Sequence, residues 1–132
     1  MLDIDCAMHS VQCYVNVAIA RLAMIEPALL QELRRGTLVL AVLSVLKQGE
    51  ACGADVRATL AQALLPIEEG ALYPMLRRLE DQSLLVSERR SEGSRLKRMY
   101  QLSKAGVAAH AAMSEQWRLL TKSLVKLNGD NE

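Results

Sequence analysis

Phenylalanine is missing from this chain of 132 residues, and one tryptophan with three tyrosines makes up its entire aromatic content. The core must therefore be aliphatic, and Leu and Ala, both strong helix formers, are there to build it. An excess of charge is lacking too: 16 Lys and Arg stand against 15 Asp and Glu, a formal net charge of +1. A wholesale polycation is excluded, so any affinity for nucleic acid must come from a local basic patch. Cysteine is limited to Cys6, Cys13 and Cys52, with no C-x-x-C pair. No disulfide framework is indicated, and a reducing cytoplasm is the expected compartment. The apolar opening stretch is broken by Arg21, Glu26 and Pro27, short of the about 20 residues that a membrane span requires. Asp3 and Asp5 stand where a signal peptide would be basic, so secretion is not expected either. Catalytic signatures are also missing: there is no nucleophile elbow, phosphate loop, His-Glu-x-x-His or paired carboxylate set. Neither an enzyme nor a cofactor is expected. Cys6, His9 and Cys13 lack a fourth partner for a tetrahedral zinc site, so no metal is expected.

The length fits one compact domain with appendages. Residues 1–31 are read as an N-terminal extension, weakly helical or without order. Beyond it, "LRRGTLVLAVLSVLKQG" carries an apolar run from Leu38 to Leu46 closed by Gly49, which predicts a buried first helix. "GADVRATLAQALLP" follows, with Val56, Leu60 and Leu64 at fourfold spacing and Pro66 as its stop. In "EEGALYPMLRRLEDQSLL", Leu72, Leu76 and Leu79 form one stripe while Tyr73, Arg77 and Glu80 share another face, which predicts a third helix with a solvated side. Glu68 and Glu69 suit its first turn, and Pro74 so near its start is tolerated.

The period then falls to about two. "LLVSERR" and "RLKRMYQLS" predict two strands, with "SEGS" as the turn of a hairpin around Gly93. Five basic side chains, Arg89, Arg90, Arg95, Lys97 and Arg98, fall on this hairpin, offset locally by Glu88 and Glu92. Helical spacing returns at the end, where Ala109, Met113, Trp117, Leu120, Leu124 and Leu127 step by four and three. A helix of roughly 24 residues would run about 36 Å. That stripe outreaches a small domain, so part of it is expected to pack on a second copy of the chain.

Three helices, a basic hairpin and a long final helix give the order of a winged helix-turn-helix with a dimerising tail, a mainly α fold of the α+β class. Residues 32–103 would form the DNA-binding domain and residues 104–132 the dimerisation helix and tail. In such a fold the third helix lies in the major groove, with Tyr73, Arg77 and Arg78 as its candidate contacts. The five basic wing residues would meet phosphates. Tyr73 has a second reading, as a packing residue that holds the third helix against the wing.

Particular motifs go beyond periodicity. "RGTLVLAVLSVL", "EGALYPMLRRLEDQSLL" and "GSRLKRMYQLSKAG", with the Trp of "SEQWRLL", resemble the PadR family of bacterial winged-helix transcriptional regulators. The likeness runs from about Leu33 to Leu127 and is to the short subgroup with one C-terminal dimerisation helix. It implies a cytoplasmic homodimeric regulator, a repressor, on double-stranded operator DNA with two-fold symmetry. It also implies a small hydrophobic or aromatic effector held near Trp117 and Met113, with Met113, Trp117, Leu120, Leu124 and Leu127 in the dimer interface; the plainer reading of Trp117 is dimer packing alone. The chain departs from the family at the start of its second helix, where Cys52, Gly53 and Ala54 replace His-Gly-Tyr. Glu68 and Ala71 replace a capping Ser and a Thr, removing two hydroxyls, and Met99 replaces the first Tyr of the wing pair. Those losses leave a competing reading open, a dimeric winged-helix module that binds protein and not DNA.

Overall fold

The computed structural model describes residues 26–129. The element order is α1 (Pro27–Lys47), β1 (Ala51–Cys52), α2 (Gly53–Gln62), α3 (Glu69–Asp81), β2 (Leu85–Glu92), β3 (Arg95–Leu102) and α4 (Lys104–Leu127). Cys6, His9 and Cys13 lie outside the described residues. The chain divides into two compact units, Met1–Thr37 and Leu38–Glu132, with the boundary inside α1. Of the first unit the described part is the opening of α1, where Thr37 Oγ1 donates to the Arg34 carbonyl at 2.8 Å. The helix starts at Pro27, a favoured first residue because its missing N–H would have no partner there. It therefore crosses the expected boundary at residue 31.

The core belongs to the second unit and is aliphatic, as a chain without Phe requires. Val42, Leu43 and Leu46 of α1, Val56 and Leu60 of α2, Leu72, Leu76 and Leu79 of α3, with Ile67, Leu85 and Tyr100, form one buried cluster. The apolar stripes read from the sequence for the first three helices supply their share. Leu64 is the exception: α2 ends at Gln62, and Leu64 takes a φ of 63° and is 38% exposed. The Leu65 N–H reaches back to the Leu60 carbonyl at 2.8 Å, closing the helix in a left-handed cap that usually falls to glycine.

The sheet has three strands in the order β1-β3-β2, not the two of a bare hairpin. Ala51 and Cys52 pair with Tyr100 and Met99; two residues between a helix end and a helix start carry no period-two signal. The wing turn is as expected. Glu92 pairs with Arg95, leaving Gly93 and Ser94 as a two-residue loop with Gly93 at φ 63°, the positive first position of a type II′ turn.

The start of α4 is docked on the turn between α3 and β2. Ser103 N–H donates to the Leu84 carbonyl at 3.0 Å, its Oγ donates to the Ser83 carbonyl at 2.6 Å, and that Oγ caps the helix by accepting from Gly106 N–H at 3.0 Å. Further along, His110 Nε2 stands 3.0 Å from Ser44 Oγ, which itself donates to the Leu40 carbonyl at 2.8 Å. That hydroxyl proton is committed, so the imidazole donates from Nε2, and its buried Nδ1 has no partner among the described residues.

Candidate nucleic-acid interface

Helix α3 presents two chemistries. Leu72, Leu76 and Leu79 are buried, while Tyr73, Arg77 and Arg78 are exposed. Pro74 sits one turn in, so the Gly70 carbonyl receives no helical N–H from it, yet the helix continues to Asp81. Tyr73 is 36% exposed, and its ring lies against buried Gly53 at the start of α2, a packing role toward α2 where the sequence suggested the wing. A Cβ there would come within 2.5 Å of Tyr73 Cε1 and 3.0 Å of its hydroxyl oxygen. The glycine is what lets the ring settle.

The strand register sorts the wing into two faces, because successive side chains alternate. One face carries Leu85, Ser87, Arg89 and Ser91 opposite Leu102, Tyr100, Arg98 and Leu96. Its inner end is core, since Leu85 and Tyr100 are 1% and 4% exposed. Its outer part sets Arg89 directly across from Arg98, two like charges facing each other, an arrangement that destabilises a hairpin. Arg98 is bound to α3 through a relay, donating to Ser87 Oγ at 2.9 Å while Ser87 donates to Glu80 Oε1 at 2.6 Å.

The other face carries Val86, Glu88, Arg90 and Glu92 opposite Gln101, Met99, Lys97 and Arg95. Here two of the three cations, Arg90 and Lys97, are partnered. Arg90 grips Glu50 with both terminal nitrogens, at 2.5 and 3.0 Å, and also bonds Glu88; Lys97 pairs with Glu92 at 2.7 Å. The Arg90 guanidinium, by its hydrogen bond first, holds the Glu50 carboxyl below the usual carboxylate range, and Glu92 raises the Lys97 ammonium in the same way. Arg77, Arg78, Arg89 and Arg95 take part in none of the ion pairs found among the described residues.

Between α2, α3 and β3 lies a half-open cleft of about 660 Å³, lined by Cys52, Gly53, Ala54, Tyr73, Arg77, Glu80, Tyr100 and the strand Arg95–Arg98. It exists because β1 is two residues long and leaves the outer half of β3 unpaired on that side. Cys52 is 7% exposed and its thiol donates to Asp55 Oδ2 at 3.2 Å. Arg77, Arg95, Lys97 and Arg98 thus border one cleft at the open edge of β3, in whose lining Glu80 is the acidic residue. Such a basic concave surface is chemically suited to a phosphodiester backbone.

On α4, Met113 packs against the core, after which the stripe leaves it: Trp117, Leu120, Leu124 and Leu127 are 46%, 55%, 51% and 82% exposed. Glu50 and Ser87 were not singled out from the sequence as site residues. Glu50 lies about 40 residues from its partner, and only the strand order brings them together.

No helix among the described residues is long and apolar enough to cross a membrane. The family model of the PadR-like transcriptional regulators matches residues 42–112. A transcriptional regulator of Mycobacterium tuberculosis is 35% identical over 91 residues, covering 69% of this chain and 82% of its own. The crystal structure of a PadR family transcriptional regulator from Eggerthella lenta superposes with a TM-score of 0.73 at 36% identity, over 87% of this chain and 99% of that one. Bacillus subtilis PadR, solved in complex with operator DNA, gives a TM-score of 0.55 at 25% identity over 58% of this chain and 45% of its own. With the winged fold in place and its relatives regulators rather than enzymes, the chain belongs to the PadR-like family of transcriptional regulators.

Proposed function

We propose that this chain is a cytoplasmic repressor that binds duplex operator DNA as a homodimer through α3 and the wing. The observation that carries this is the exposed Arg89–Arg98 pair of like charges, on the wing face that continues into the polar side of α3. Such a pair costs the free protein stability and is relieved by polyanion phosphate. Arg77 and Arg78 of α3, with Tyr73, are the base-reading candidates, an exposed Arg being suited to a guanine edge. Arg89, Arg95 and Arg98 supply phosphate contacts, while Arg90 and Lys97 already hold carboxylates. The operator complex of Bacillus subtilis PadR supports the same partner.

The exposed apolar stripe of α4 serves dimerisation, which sets two recognition helices on a two-fold symmetric site. Trp117 and Met113, where the stripe leaves the core, would hold a small aromatic effector whose binding favours a dimer of altered half-site spacing.

The test is titration of a fluorescent duplex of random sequence, then of duplexes selected from a random pool, across a series of salt concentrations. Replacing Arg89, Arg95 and Arg98 by Ala should lower the salt slope by about 0.9 for each phosphate that is no longer neutralised; an unchanged slope refutes the wing assignment. Leu120→Glu with Leu124→Glu should sediment as a monomer and lose operator binding. Quenching of Trp117 by an aromatic compound without loss of operator affinity would count against an inducer role. Failure to bind any duplex at low salt, with binding to a protein partner instead, would favour the interaction-module reading.

A further inference from the structure

The two wing faces differ in a way that net charge hides. The wing's own carboxylates are confined to one face: Glu88 and Glu92 alternate with Arg90 there, and Glu50 reaches the same face from the other edge of the sheet. Cys52 pairs with Met99, so continuing the antiparallel register by two residues places Glu50 on the face of Arg90 and Lys97. Its bridge to Arg90 therefore crosses over the central strand β3, about two strand spacings away. A two-toothed Arg–carboxylate grip fixes direction as well as charge. It holds the Arg90 head over the sheet toward the turn between α1 and β1, away from the free end of the wing.

We infer that Glu50 is a specificity-determining residue: an internal counterion that, with Glu88, withholds Arg90 from phosphate and so limits sequence-blind binding by the wing. The inference rests on the DNA-binding reading above. A cation that reaches phosphate in any loosely docked complex, but has no place in the fixed register of the operator complex, raises affinity for random duplex more than for operator, and so lowers the ratio between them. With Arg90 clamped, the wing contributes Arg89, Arg95 and Arg98, of which the register aims Arg89 and Arg98 along the face shared with α3. Being exposed, the bridge is not a stability device of consequence. Its position across the sheet gives it this other use.

The experiment is a double-mutant cycle on the full-length protein, with Glu50→Gln, Arg90→Gln and the pair, titrated against a random duplex and a selected operator at several salt concentrations. Glu50→Gln keeps the side-chain shape and removes the two-toothed grip that directs Arg90 across the sheet, leaving it only Glu88, two residues away on its own strand, against which phosphate competes. Affinity for random duplex should rise about tenfold near 0.1 M salt, the value of one added phosphate contact, with a steeper salt slope. Operator affinity should rise less, so that the operator-to-random ratio falls. In the Arg90→Gln background the same change should be worth less than about twofold, because no cation remains to be released.

If Glu50→Gln raises affinity equally in both backgrounds, Glu50 merely repels DNA and the inference falls. It also falls if Glu50→Gln leaves random-duplex affinity and slope unchanged while the wild type binds. If neither the wild type nor Glu50→Gln binds any duplex, the DNA-binding reading itself is overturned, an outcome distinct from both.

Discussion

Glycines 70 and 106 both lie in the first turn of a helix, yet the same change to Ala should have opposite consequences at the two sites. At Gly70 a Cβ meets nothing within 4 Å, so Gly70→Ala should gain helix propensity, up to about 1 kcal/mol. At Gly106 a Cβ would overlap the Leu84 carbonyl oxygen, at 3.1 Å from its carbon and 3.3 Å from Leu102 Cδ2. That carbonyl cannot step aside, because it already accepts from Ser103 N–H at 3.0 Å, and the adjacent Ser83 carbonyl accepts from Ser103 Oγ. Relief means lifting the start of α4 off the turn and stretching both hydrogen bonds, at about 1 kcal/mol each. Overpacking adds about 1–3 kcal/mol, and the propensity gain offsets about 1 kcal/mol. The net loss is about 2–4 kcal/mol, or roughly 8–16 °C at about 4 °C per kcal/mol for a domain of this size.

Thermal unfolding followed by circular dichroism checks both variants, at one protein concentration because association shifts the midpoint. Because Gly106 seats the helix that carries the proposed dimer interface, operator binding should suffer in Gly106→Ala even well below its midpoint. A Gly106→Ala protein melting at or above the wild type would refute the docking argument.

Ser83 closes α3 at φ 62° with the Leu84 N–H on the Leu79 carbonyl at 2.9 Å; Ser83→Gly should stabilise by about 0.5–1 kcal/mol in urea titration. Burial raises the Tyr100 phenol above its ordinary value of 10.0. Its contribution is thus complete below pH 10 and lost as pH rises through the folded value. The urea midpoint should drop between about pH 9 and pH 11 more steeply for the wild type than for Tyr100→Phe. Arg89→Gln removes one member of the like-charged pair facing Arg98. It should stabilise the fold by a few tenths of a kcal/mol, about the size of a cross-strand term, while weakening duplex binding; stability and affinity falling together would contradict that origin.

The helices were legible because each is a local statement. Leu72, Leu76 and Leu79 repeat at the helical period, and all three are buried. Gly93 and its polar neighbours announced a tight turn that the register confirms in place. Three features were not legible. Leu64 continued the spacing of Val56 and Leu60 and still left the helix, because the turn into α3 starts at that point and a left-handed residue ends α2 first. The strand Ala51–Cys52 is too short for any period to show, and only its partner β3 makes it a strand. Among the wing cations, sequence separates none from the others, whereas Arg90 and Lys97 are held by carboxylates and Arg89 is not.

By itself the sequence determined the aliphatic core, the succession of helices and hairpin, the family likeness and the basic character of the wing, since periodicity, turn residues and charge are properties of neighbours along the chain. Only the tertiary structure decided which wing charges are free, that Tyr73 leans on Gly53, and that Arg77 and Arg98 line one cleft. Those facts depend on the order of strands and on residues about 20–40 positions apart being brought together. Strand register assigns each side chain to a face, and the face together with the neighbours brought to it decides whether a cation meets a carboxylate of its own chain, as Arg90 and Lys97 do, or is left without one, as Arg89 is.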